Sequence, residues 1–259
     1  MKLYVIPNIY ELEKWCKLSS DYNLGFEYND FFNTNILDNK YLLDERIEAY
    51  ASLGRNGDTL HGVFFDINFD SVDSKIKEIS MMRARQVLDI ARILKCKAVI
   101  FHTNYQTWIK DKTYQEKWVN SNVQVYKTLL DEYRDISIYV ENMFDDDPNL
   151  LARLASELKG ENRFGVCLDV AHAHISNVSL DVWFEKLSPY IKHIHLNDND
   201  GVYDLHGYLS SGNLDYKYVL DKVNEISNDK EITILLEMNK YEDVVKSLSI
   251  IGGGGYGFK

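Results

Sequence analysis

Eight short apolar, β-rich runs recur along this chain, each followed by a stretch that reads as helix, and this alternation restricts the fold more than any other feature. The runs are "LYVI" (3–6), "LGFEY" (24–28), "LHGVFF" (60–65), "AVIFHT" (98–103), "SIYVEN" (137–142), "FGVCLDV" (164–170), "IKHIHLN" (191–197) and "ITILLEM" (232–238). Between them apolar residues fall at helical spacing, as in "SKIKEISMMRARQVLDIARILK" (74–95) and "EKWVNSNVQVYKTLLDEYRD" (116–135). No linker-like shift in composition interrupts the alternation, so a parallel α/β fold is expected. Eight units in 259 residues favour a (β/α)8 TIM barrel in a single domain over residues 1–251. The competing architecture, an open doubly wound sheet, lacks its glycine-rich phosphate fingerprint after the first strand. The glycine-rich end, 252–259, reads as a flexible tail.

Charge narrows the partners. There are 29 Lys and Arg against 40 Asp and Glu, a net charge of −11, which repels nucleic acid and anionic membrane at long range. The N-terminal "MKLYVIPNIYELEKW" has a broken apolar run with acidic residues and reads as neither signal peptide nor membrane span. Cys16, Cys96 and Cys167 are odd in number and widely spaced, which points to buried, reduced thiols of a cytoplasmic protein.

Catalytic groups of a barrel collect at the C-terminal ends of its strands. Here His61 sits in the third run, His102 ends the fourth, Glu141 the fifth, Asp169 the sixth, His195 the seventh and Glu237 the eighth. Parity supports convergence: Gly165, Cys167 and Asp169 share one strand face and Ser137, Tyr139 and Glu141 another, leaving the aliphatic residues to pack under helices. Carboxylates and imidazoles aimed at one spot are costly without a cation, and the mixed set suits zinc, manganese or iron better than calcium. His172, Asp204 and His206 follow in the loops. His193 shares the parity of His195 and is expected one layer deeper. His174 is read as a surface residue of its turn, and Asp198 as the turn residue that reaches the site.

The stretches "LHGVFFDIN", "VIFHT", "IYVENM", "GVCLDVAHAH", "IKHIHLNDNDGVYDLHGYLSSGNLDY" and "ILLEMN" resemble, in order, the xylose isomerase-like TIM barrels, which include sugar isomerases and epimerases and endonuclease IV. In the isomerase and epimerase branch the resemblance implies one divalent cation, such as manganese or magnesium, on Glu141, Asp169, His195 and Glu237. There Glu141 and Glu237 would be catalytic, exchanging a proton at the reacting carbon through an enediolate. In the endonuclease IV branch it implies up to three zinc ions on His61, His102, Glu141, Asp169, His172, His195, Asp204, His206 and Glu237, with DNA cleaved at abasic sites.

The two branches predict different partners, a small sugar or DNA. All nine zinc-ligand counterparts are present, which favours the nuclease. Net charge, the short segment after His61 and the absence of a Lys/Arg cluster beside the motifs favour the sugar enzyme, and Ser210 stands where the family's first loop glycine is usual, Gly212 keeping the second. The segment "NYQTWIKDKTYQEKW" (104–118) reads as a lid whose Tyr105 and Trp108 wall a sugar pocket, or as a loop whose aromatics stack on bases, or as a helix start with core aromatics. A metal-dependent sugar isomerase or epimerase is the preferred expectation.

Overall fold

A computed structural model describes residues 1–228 and 230–253. All eight expected runs are strands: Lys2–Val5 (β1), Gly25–Tyr28 (β2), Thr59–His61 (β3), Ala98–His102 (β4), Ser137–Glu141 (β5), Phe164–Asp169 (β6), Ile191–Leu196 (β7) and Thr233–Leu236 (β8). They are joined in chain order and close on themselves, so the chain is a (β/α)8 TIM barrel. Helices Leu12–Tyr22, Lys40–Ser52, Ser74–Ile93, Lys112–Glu132, Asn149–Glu157, Leu180–Leu187, Tyr216–Ile226 and Tyr241–Gly253 follow the successive strands. The last one carries helix through Gly252 and Gly253, two residues into the expected tail. The rest of that tail, 254–259, lies outside the described residues.

The chain divides into two compact units, one of Met1–Glu27, Asn142–Pro148 and Val166 onward, the other of Tyr28–Glu141 and Asn149–Gly165. In the first, β6, β7, β8, β1 and β2 pair in parallel; in the second, β3, β4 and β5 do. Helix starts follow local chemistry. Asp73 and Asp111 cap their helices by accepting the backbone N–H of Lys75 and Tyr114, each at 2.8 Å. The helical stripes the sequence suggested are buried: Ala84, Val87, Leu88 and Ala91 in one helix, Trp118, Tyr126 and Leu129 in another.

Two local features set the aim of the site residues. Strand β3 ends at His61, short of the expected run to residue 65. Gly62 then turns its N–H onto the Ile100 carbonyl at 2.7 Å, and a Cβ there would meet that oxygen at 2.8 Å. The register of β6 on β7 slips between Val166, which faces Ile191, and Cys167, which faces His193, so that Asp169 lies beside His195. Without the extra residue, the inward groups of β6 would face the outward groups of β7.

Cys16, Cys96 and Cys167 are thiols outside any disulfide, the last two buried as expected and Cys16 only half-buried. Among the described residues no helix is long and apolar enough to cross a membrane.

The aliphatic face of the strands holds the core. Leu168 of β6 is fully buried beside Ile194. Leu168→Ala is expected to cost about 2–5 kcal/mol, read as a lower denaturant midpoint with the slope unchanged.

Candidate metal centre

In the second unit, His61, His102 and Glu141 converge at the ends of β3, β4 and β5. His102 and Glu141 are register partners on neighbouring strands. The two imidazole Nε2 atoms are 3.0 Å apart, and Glu141 Oε2 lies 3.4 Å from that of His102 and 3.9 Å from that of His61. All three side chains are buried, and their candidate ligand atoms lie within 4.8 Å of one another. His61 donates Nδ1–H to the Gly62 carbonyl at 3.0 Å, since a carbonyl can only accept, and this directs its Nε2 at the cluster. Phe64 stacks on the His102 ring with centroids 4.5 Å apart.

The first unit carries a longer connected set. Asp169 caps helix Val170–Ile175, its Oδ1 accepting the His172 N–H at 2.6 Å. The Asn142 side chain clamps the backbone of Asp169 from both sides: its amide donates to the carbonyl and its oxygen accepts the N–H, both at 2.9 Å. His172 donates Nδ1–H to the Asn142 carbonyl at 3.0 Å and turns Nε2 towards Asp204 Oδ2 at 3.4 Å. His206 repeats the arrangement, donating Nδ1–H to the Glu237 carbonyl at 3.1 Å and placing Nε2 3.1 Å from the same Asp204 oxygen. Glu237 Oε2 is 3.4 Å from His195 Nδ1 and accepts from Asn197 at 3.4 Å. His172, Asp204, His206, Glu237 and His195 thus form a chain of contacts.

Electrostatics follow from that packing. Burial alone would raise the Glu237 carboxyl, yet the His195 and His206 charges hold it well below the carboxylate range. Burial is likewise outweighed at Asp204, which His172 and His206 hold low. Burial would lower His206, but its hydrogen bond to Asp204 and the charge of Glu237 push it up to about 10.

Glu27, which the sequence reading passed over, belongs to this set. It is fully buried in β2, with Oε1 3.1 Å from His195 Nε2 and Oε2 3.3 Å from His193 Nε2. Burial pushes its carboxyl up, and the two histidines outweigh that and hold it low. The signal was there: a single acid inside the apolar run "LGFEY". His193 lies in the deeper layer as expected, its Nδ1 2.6 Å from Thr233 Oγ1. His174 is half-buried, with Nε2 2.8 Å from the Asn213 side-chain oxygen.

The remaining candidates have partners of their own. Asp198 is wholly buried, and its two oxygens accept the backbone N–H groups of Gly212 and Leu214, each at 3.0 Å. Its carboxylate holds the loop together. Gly212 is needed for packing: a Cβ would sit 2.0 Å from the Asn199 carbonyl oxygen. Ser210 takes the left-handed backbone (φ 74°) that favours glycine. Tyr105 stacks on Tyr114, with centroids 5.5 Å apart, and meets Trp118 edge-on, so it ties the loop to the following helix. Trp108 is 73% exposed.

The sequence matches the family model described as "Xylose isomerase-like TIM barrel" over residues 22–250. The uncharacterized protein MJ1614 of Methanocaldococcus jannaschii is 27% identical over 230 residues, 78% of this chain and 89% of that one. Among solved structures, the TTHB071 protein from Thermus thermophilus, soaked with zinc chloride, is similar with a TM-score of 0.77 and 22% identity across 100% of both chains. A D-tagatose 3-epimerase-like protein reaches 0.75 at 22% identity, over 98% of this chain and 96% of that one. An endonuclease IV from Thermus thermophilus also superposes, at 0.65 and 15% identity over 98% of each chain. Such identities speak for the fold alone.

Removing the Asp198 carboxylate leaves two backbone donors without their acceptor. Asp198→Ala is expected to destabilise the protein by about 2–4 kcal/mol and to speed hydrogen exchange at the Gly212 and Leu214 amides first.

Proposed function

Because the chain belongs to the xylose isomerase-like TIM barrel family, we propose that it is a divalent-metal-dependent sugar isomerase or epimerase, with Glu141, Asp169, His195 and Glu237 holding the cation. The donor set fits such an ion. It joins three buried carboxylates with one buried imidazole, a mixture that suits zinc, manganese or iron. Asp204 Oδ1 is also buried and has no hydrogen-bond partner among the described residues. A divalent cation held by those four ligands would stabilise the negative charge that builds on substrate oxygens when a neighbouring carbon loses its proton.

The chain's own residues supply the rest. Glu237, kept ionised by its histidine neighbours, is the base that takes the proton from the reacting carbon. Glu141 is its counterpart, returning a proton at the other face. His172 and His206, with Nε2 turned to Asp204, bind sugar hydroxyls. Trp108, exposed on the loop after β4, is free to close over a bound sugar.

The observation that carries the sugar reading is charge. Besides the net −11, the loops that follow β3, β5 and β7 are acidic, with Asp66, Asp73, Asp146, Asp147 and Asp200. A polyanion would be repelled by such a charge, and a neutral ketose would not. A second reading, an endonuclease IV-like zinc phosphodiesterase, draws on the His61, His102 and Glu141 cluster, which a single-cation site does not require.

The two are separated by incubating the purified protein with a ketose panel and with a duplex carrying an abasic site, each with and without chelator. The expected result is chelator-sensitive ketose epimerisation or isomerisation, reduced at least ~100-fold in Glu237→Gln, and no nicking. Chelator-sensitive nicking that Glu237→Gln abolishes, without ketose turnover, would overturn the proposal.

A further inference from the structure

Three histidines are tethered alike. His61, His172 and His206 each donate Nδ1–H to a backbone carbonyl, His61 turning Nε2 to His102 and the other two to Asp204. His195 is oriented the other way round and by a different group. Its Nε2 faces a carboxylate, Glu27 Oε1, at 3.1 Å, and its Nδ1 faces Glu237 Oε2 at 3.4 Å. The second oxygen of Glu27 faces His193 Nε2 at 3.3 Å, and His193 Nδ1 lies 2.6 Å from the Thr233 hydroxyl.

These contacts define one polarity. The Thr233 hydroxyl donates to His193 Nδ1, and the donor-capable Nε2 atoms of His193 and His195 lie 3.3 and 3.1 Å from different oxygens of Glu27. A carboxylate fully buried in an apolar strand is expensive unless such donors meet it. The edge-on packing of the His193 ring against Tyr4, with centroids 5.8 Å apart, helps hold that ring upright. Glu27 is therefore gripped from below by His193 and presents its other oxygen to His195 at a fixed place.

Resting on the metal reading above, we infer that Glu27 is a positioning residue: its carboxylate fixes His195 in the Nε2–H form and aims Nδ1 at the divalent cation. An anionic partner also makes the coordinating nitrogen more electron-rich than a backbone carbonyl would. This sets His195 apart from His61, His172 and His206, whose anchoring carbonyls are neutral.

Two measurements test this. The first uses the unaltered protein, labelled with 15N-histidine and loaded with cadmium-113, in long-range proton–nitrogen NMR. The expected spectrum has the proton of His195 on Nε2 and the cadmium coupling on Nδ1; a proton on Nδ1 with cadmium coupled to Nε2 would overturn the inference. The second is zinc affinity by chelator competition, with near-UV circular dichroism confirming folding. Glu27→Gln is expected to bind about 10–100-fold more weakly than the unaltered protein. A merely structural Glu27 would lower the melting temperature of the metal-free protein and leave zinc affinity unchanged, and that result would also overturn the inference. If Glu27→Gln does not fold, the NMR measurement decides alone. If the unaltered protein itself binds neither cadmium nor zinc, the metal reading fails and takes this inference with it. Normal binding with Glu27→Gln unaffected defeats this inference only.

Discussion

Burying ionised carboxylates in a water-poor barrel costs more free energy than ordinary packing returns, so each must be met by donors. Glu27, Asp169 and Glu237 are all buried here, and imidazole nitrogens lie against each of them. Much of the local architecture serves that pairing. The register slip in β6–β7 brings His195 beside Asp169, and Asn142 clamps the backbone of Asp169 where it caps a short helix. Backbone carbonyls then set the direction of His61, His172 and His206. The imidazoles cannot turn away without losing a buried hydrogen bond, which makes the site rigid before anything binds.

The same logic separates groups that face the site from groups that support it. Asp198 and Asp204 lie six positions apart in one loop, yet they serve differently. Asp198 spends both oxygens on backbone amides, whereas Asp204 meets two imidazole nitrogens through one oxygen only. A bulky loop aromatic divides likewise: Tyr105 packs onto its own helix, and Trp108, three residues on, stands in solvent.

Much of this was legible in the sequence because strands and helices leave local periodic traces. Every β-rich run became a strand, and strand parity identified the inward faces that carry Glu141 and Asp169. The run at 60–65 was read too long, since apolar Val63, Phe64 and Phe65 look like strand while Gly62 turns the backbone away after His61. Glu27 was missed for a different reason. Its partner His195 is far away in sequence, and only barrel closure brings β2 and β7 around the same interior. The backbone partners of Asp198 were not legible either, because a turn aspartate's partners are invisible until the loop's backbone path is known.

The proposed chemistry is proton exchange at a sugar carbon. The most direct measurement is deuterium wash-in: protein loaded with zinc or manganese is held with each member of a ketose panel in deuterium oxide, and the carbons beside the carbonyl are followed by NMR. Deuterium is expected to enter at one such carbon of at least one ketose, only with metal present. Full retention of hydrogen at those carbons across the panel, by protein shown to contain its metal, would contradict it.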